Sequence, residues 1–156
     1  MYEYKTCGLD GIFLVNGYVK HEYGDETFVA IEDMDGLHKL LSSQLIHKPA
    51  PLTGAEFRFL RNELDLSQKQ LSRLLGNEDQ TIAKWEKGQT KGGVPQWADA
   101  IIRDMATETI LEGNAELTRI LNMLSDADNF IHDLKLCLEH NHNWQIADDS
   151  PEPLCA

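Results

Sequence analysis

Long apolar runs are missing from this chain, and cysteine is scarce. No stretch approaches the roughly 20 apolar residues that a membrane-spanning helix requires, and Met1–Lys5 lacks the basic start and apolar core of a secretory leader. A cytoplasmic protein with no membrane partner is the expectation. The three cysteines, Cys7, Cys137 and Cys155, are odd in number and far apart, so no disulfide framework is expected. Phosphate-loop, GxSxG and GxGxxG patterns are also lacking. The acidic patch Glu32, Asp33 and Asp35 has no convergent acid/base partners. Enzymatic activity is therefore not expected, and no cofactor is implied. His132, Cys137, Glu139, His140 and His142 come close together, but His132 and Cys137 are five apart and do not share a helix face. No HExxH or CxxC spacing occurs, so no metal site is expected.

An excess of basic residues is lacking too. The net charge of −12 argues against a chain that coats nucleic acid non-specifically. Its distribution carries more information than its sum. Residues 53–91 hold seven Lys or Arg against six Asp or Glu and sum to +1, whereas the rest sums to −13. Acid remote from a binding module weakens general phosphate attraction and leaves discrimination to base contacts.

The patterns that are present divide the chain into four sections. Residues 1–48 read as a small α+β section. Ile12–Val15 and Thr27–Ile31 favour strands, Asn16-Gly17 and Tyr23-Gly24-Asp25 signal turns, and residues 33–46 read as a helix with Leu37, Leu40, Leu41 and Leu45 at helical spacing. Pro49 and Pro51 disfavour helix and mark a boundary. Residues 52–112 hold several helical patterns. Thr53 with Glu56 forms a capping box before Phe57, Leu60 and Leu64. Ser67 caps a second helix, carrying Leu71, Leu74 and Leu75 and ended by Gly76. A third begins near Asn77–Asp79, carries Ile82 and Trp85, and ends at Gly88. Pro95 starts a fourth, with Trp97, Ile101, Ile102 and Met105 on its apolar face.

Residues 114–143 then read as one long helix. Leu117, Leu124, Ile131 and Leu138 recur every seven residues, and Ile120, Ala127 and Leu134 fill the second seam position. That pattern suits either a dimerisation helix or packing on the chain's own domain. Dimerisation through Leu117, Ile120, Leu124, Ile131, Leu134 and Leu138 is the expectation. Residues 144–156, with Asp148, Asp149, Pro151, Glu152 and Pro153, read as a disordered acidic tail.

The segment from Leu52 to Lys91 carries the functional signal. Leu60-Arg61, Leu66-Ser67-Gln68, Leu71, Leu75-Gly76, Thr81-Ile82, Trp85-Glu86 and Gly88 fall, without a gap, at the spacing of the Cro/CI-type helix-turn-helix, which this segment resembles. The resemblance implies a mainly α fold, a lambda-repressor-like bundle with the β-containing section before it and the long helix after it. A helix that enters the major groove needs a polar outer face and an apolar inner one. In the helix over 79–87, Ile82 and Trp85 face inward and leave Asp79, Gln80, Thr81 and Lys84 outside. By resemblance, the first, second and sixth positions, Asp79, Gln80 and Lys84, read bases. Gln can form two bonds with adenine, and Lys can donate to guanine. Asp79 either accepts from a cytosine amino group or serves as a favourable charge at the helix N-terminus. Ser67, Gln68, Lys69, Thr81, Lys87, Gln89 and Lys91 are the expected phosphate contacts, and Arg61 with Glu86 the expected structural pair.

The wider arrangement is similar to the MqsA/HigA-like antitoxin group, without the two CxxC pairs through which many of those N-terminal domains hold zinc. The resemblance implies a sequence-specific, dimeric repressor or autoregulator acting on an inverted-repeat operator in double-stranded DNA. The alternative is an antitoxin-like module that neutralises a toxin partner and binds DNA only as a complex.

Overall fold

The computed structural model describes residues 1–125, 138–141 and 143–146. The chain is mainly helical, as expected, with short antiparallel strand pairs. It divides into two units, Met1–Asp126 and Ala127–Ala156.

The first unit opens with two strand pairs. β1 (Tyr2–Glu3) pairs with β2 (Phe13–Leu14), and β3 (Tyr18–Tyr23) pairs with β4 (Glu26–Ile31) in a second, separate sheet. The β3–β4 hairpin turns through Gly24-Asp25, the turn signal seen in the sequence, and its register runs from Tyr18↔Ile31 to Tyr23↔Glu26. β3 itself gave no strand signal, because Lys20, His21 and Glu22 interrupt its apolar residues.

Six helices follow. α1 (Met34–Ile46) starts at Asp33, whose carboxylate accepts from the Gly36 amide. α2 (Gly54–Glu63) and α3 (Gln68–Leu75) each begin with a complete capping box, Thr53 with Glu56 and Ser67 with Gln70. α4 (Asp79–Glu86) has no side-chain cap. α5 (Gln96–Ala106) starts after Pro95 and widens into a π-helical turn over Thr107–Leu111. α6 (Glu116–Ser125) closes the unit.

One core serves the whole unit. Phe57 and Leu60 from α2, Leu71 from α3, Ile82 and Trp85 from α4, and Ile102 and Met105 from α5 are buried, and Leu9 and Leu45 from the N-terminal section join them. The expected division at residues 47–51 is therefore a bend within one unit. Arg103 ties this bend to α5. Its guanidinium donates to the carbonyls of Ile46 (3.1 Å), Lys48 (2.6 Å) and Ala50 (2.8 Å), while Asp99 accepts from it at 2.5 Å and from the Leu52 amide at 2.6 Å. Proline-broken backbone cannot pair its carbonyls in a helix, so a side chain does. A second polar link joins the sections. The Tyr4 hydroxyl lies 2.8 Å from His38 Nε2, and His38 Nδ1 lies 2.7 Å from Glu63 Oε1. Burial, followed by the charges of Cys7, Glu63 and Tyr2, raises the Tyr4 phenol above its ordinary range.

The C-terminal expectation requires correction. The single helix over 114–143 does not form. α6 covers its start, but Leu138–Asn141 (β5) and Asn143–Ile146 (β6) are antiparallel strands, with Leu138 opposite Ile146. Asn141 and Asn143 favour a turn over a helix, and Trp144 and Ile146 favour strand. A seven-residue leucine spacing cannot register either preference. Leu138 is thus not on a helical seam, and strand reaches Ile146, into the stretch read as tail. Leu117 packs against the core of its own unit, whereas Ile120 is exposed. The backbone at Leu124 is helical. Ile131, Leu134, His132, Cys137, His142 and residues 147–156 lie outside the described residues. Trp97 also departs from expectation. It is 46% exposed, with its ring set edge-on against Trp85 at 5.9 Å, and so caps the core instead of entering it.

Candidate nucleic-acid interface

α3 and α4 are joined by three residues, and local chemistry fixes that turn. Gly76 adopts φ 70°, ψ 29°, a left-handed conformation that glycine takes without a Cβ penalty. The Asn77 amide then donates to the Ser72 carbonyl at 2.8 Å and the Gly76 amide to Arg73 at 3.3 Å. This is the Schellman closure of a helix end. Lys84 and Trp85 carbonyls accept in the same way from Gln89 and Gly88 at the end of α4.

Further contacts lock these two helices to each other and to α2. Arg61, buried, donates through Nε to Glu86 Oε1 at 2.5 Å, through Nη2 to Glu86 Oε2 at 3.2 Å, and through Nη1 to the Leu66 carbonyl at 2.7 Å. Gln68 Nε2 adds a bond to Glu86 Oε2 at 2.7 Å. Ser72 Oγ donates to Asp79 Oδ1 at 2.6 Å, tying α3 to the first turn of α4. Gly54 completes the lock. A Cβ there would meet the carbonyl oxygens of Trp85 at 2.2 Å and Glu86 at 2.7 Å, so only glycine lets the start of α2 approach the end of α4.

The outer surface of α4 is polar. Ile82 and Trp85 are buried, whereas Asp79, Gln80 and Lys84 are exposed and Thr81 is half-buried. Gln80 and Lys84, four apart, share one face of the helix. Lys69 on α3 and Lys87, Gln89 and Lys91 after α4 are exposed as well. The cations of this unit fall into two groups. Lys5, Lys48, Arg61, Arg103 and Arg119 are held in ion pairs within the protein. Among the described residues, Lys69, Lys84, Lys87 and Lys91 have no ion-pair partner, nor do Lys20, Lys39, Arg58 and Arg73.

α3 and α4 thus form a tightly braced pair of helices with a polar outer face. Residues 57–91 match the helix-turn-helix family model. That match spans less than a quarter of the chain and covers α3 and α4 with most of α2. It supports a DNA-binding role in the regulation of transcription. No curated protein and no solved structure matches the chain.

Within the helix-turn-helix, the candidates from the sequence separate by what the fold asks of them. Gln80 and Lys84 have no internal partner among the described residues. Asp79 has one carboxylate oxygen engaged by Ser72. Ser67 accepts from the Gln70 amide as a cap. Gln68 retains one of its two amide hydrogens, the other being on Glu86. The sequence reading paired Arg61 with Glu86 but missed Gln68, Ser72 and Gly54 as parts of the same lock. Local signals pointed to Gln68 and Gly54, whereas nothing near Ser72 in the sequence pointed to its bond with Asp79. Gln68 opens a helix beside a capping serine, and Gly54 stands at a helix start where glycine has no conformational reason to be.

Proposed function

We propose that this protein is a sequence-specific regulator of transcription that lays α4 along the major groove of double-stranded DNA. The observation that carries the reading is the exposed, unpaired Gln80–Lys84 face on a helix whose other face is locked by Ile82, Trp85 and the Arg61–Glu86 pair. Gln80 and Lys84 read base edges, with adenine and guanine as the preferred partners. Asp79 positions the helix through Ser72, and its negative charge suits the N-terminus of α4. Lys69, Lys87, Gln89 and Lys91 contact phosphate, aided by Thr81, by the free amide hydrogen of Gln68 and by the hydroxyl of Ser67 at the N-terminus of α3. The protein acts as a dimer on an inverted repeat, since one short helix covers too few base pairs for a unique site. Repression of its own gene is the mode of regulation.

A gel shift on the DNA upstream of its own gene, with random competitor and a salt series, tests the proposal. A competitor-resistant complex on an inverted repeat is expected. Loss of the complex to equimolar random DNA at moderate salt would overturn sequence-specific reading.

A further inference from the structure

The β3–β4 hairpin carries a feature that DNA binding does not use. Among the described residues its two strands pair only with each other, so the outer edge of β3 is open over six residues. A two-stranded ribbon is marginal in water without further strands or a covering layer. One face holds Tyr18, Lys20 and Glu22 opposite Ile31, Val29 and Thr27. The other holds Val19, His21 and Tyr23 opposite Ala30, Phe28 and Glu26. On that second face Val19, Tyr23 and Phe28 are 47%, 71% and 52% exposed.

An open edge is a template for another strand. β3 contains neither proline nor a bulge to prevent this. Its one guard is Lys20, and Glu22 follows two residues later. The hairpin loop has two residues, so Tyr23 and Glu26 close it as a hydrogen-bonded pair, and His21 and Val19 bond inward as well. The N–H and C=O groups of Tyr18, Lys20 and Glu22 therefore point outward. An antiparallel copy of β3 meets those groups in phase when its Glu22 stands opposite Lys20. In that register, centred on His21, both Lys20–Glu22 pairs are of opposite charge and Val19 faces Tyr23 twice. Sliding the copies by two residues either way sets Lys20 against Lys20 or Glu22 against Glu22, which is destabilising.

We infer that β3 is the seam of a homodimer, pairing antiparallel with β3 of a second copy about a two-fold axis at His21. The self-complementary charge order favours a second copy over another strand-bearing partner, because a copy supplies the reciprocal Glu and Lys at this spacing and closes the contact isologously. The inference rests on the dimer of the proposed function and names its seam, and it is measured without DNA; a wild-type dimer unaffected by the single variants would overturn the seam alone.

Sedimentation equilibrium of the full chain at moderate salt gives the test. The wild type sediments as a dimer. Lys20→Glu and Glu22→Lys each weaken self-association more than tenfold, and an equimolar mixture of the two recovers a heterodimer, since every opposed pair is again of opposite sign. A monomeric wild type, unaffected single variants, or a mixture that stays monomeric would each overturn the seam. Should a charge variant fail to fold, His21→Cys in a chain with its native cysteines changed to serine serves instead. It forms an intermolecular disulfide under mild oxidation and Tyr23→Cys does not. Absence of that difference would equally overturn the register.

Discussion

Glu86 illustrates how one side chain can hold three helices in place. Its carboxylate joins Arg61 on α2 and Gln68 on α3 to the end of α4. Glu86→Ala leaves the Arg61 guanidinium buried without a counter-charge. The expected loss is about 3–5 kcal/mol of folding stability, read by urea denaturation. An unchanged midpoint would show that Arg61 finds another partner. Gln80 and Lys84 make the opposite prediction, since nothing inside the protein depends on them. Gln80→Ala and Lys84→Ala should leave stability unchanged, while each costs about 1–3 kcal/mol of binding to the specific site and little on random DNA. Equal losses on both DNAs in a competition gel shift would move the reading face elsewhere. The exposure of Gln80 and Lys84 was legible in the sequence, because the inward phase of Ile82 and Trp85 fixes which residues are left outside. It could not separate Asp79 from Gln80, because the partner of Asp79 is Ser72, seven residues away on another helix.

At the scale of elements, the bend over residues 47–51 is held by α5. Arg103 bonds three of its carbonyls and pairs with Asp99, which also accepts from the Leu52 amide. Arg103→Leu keeps the volume but leaves Asp99 without a cation and those carbonyls without donors. A loss of about 3–5 kcal/mol is expected. Amide hydrogen exchange at Leu52 should rise with it, and unchanged protection there would contradict the assigned role. The prolines announced a break in helix, which the structure contains. They gave no indication that an arginine more than fifty residues away would tie the break to α5. The capping box of α2, the Ser67 cap of α3 and the glycine end at Gly76 were legible, because each is set by residues close by along the chain.

For the molecule as a whole, charge is divided between a nearly neutral helix-turn-helix segment and an acidic remainder. Affinity then depends on a few lysines. The specific complex should show a shallow salt dependence, with each phosphate contact contributing about 0.9 to the slope of log affinity against log salt. Lys91→Ala should lower that slope by about 1 without changing the preferred sequence. A slope unchanged in the variant would place Lys91 away from phosphate.

Sequence by itself determined the helix-turn-helix. Its caps, its glycine turn, the inward phase of each helix and the exposed Gln80–Lys84 face all follow from neighbours within four residues, which are the distances that periodicity and capping chemistry encode. Tertiary structure decided the rest. It merged the N-terminal section and the helices around one core, drew Asp79 and Gln68 into internal contacts, replaced the end of the expected heptad helix with strands, and left β3 with an open edge. Each of these depends on what a residue meets across the fold, and spacing along the chain does not record that.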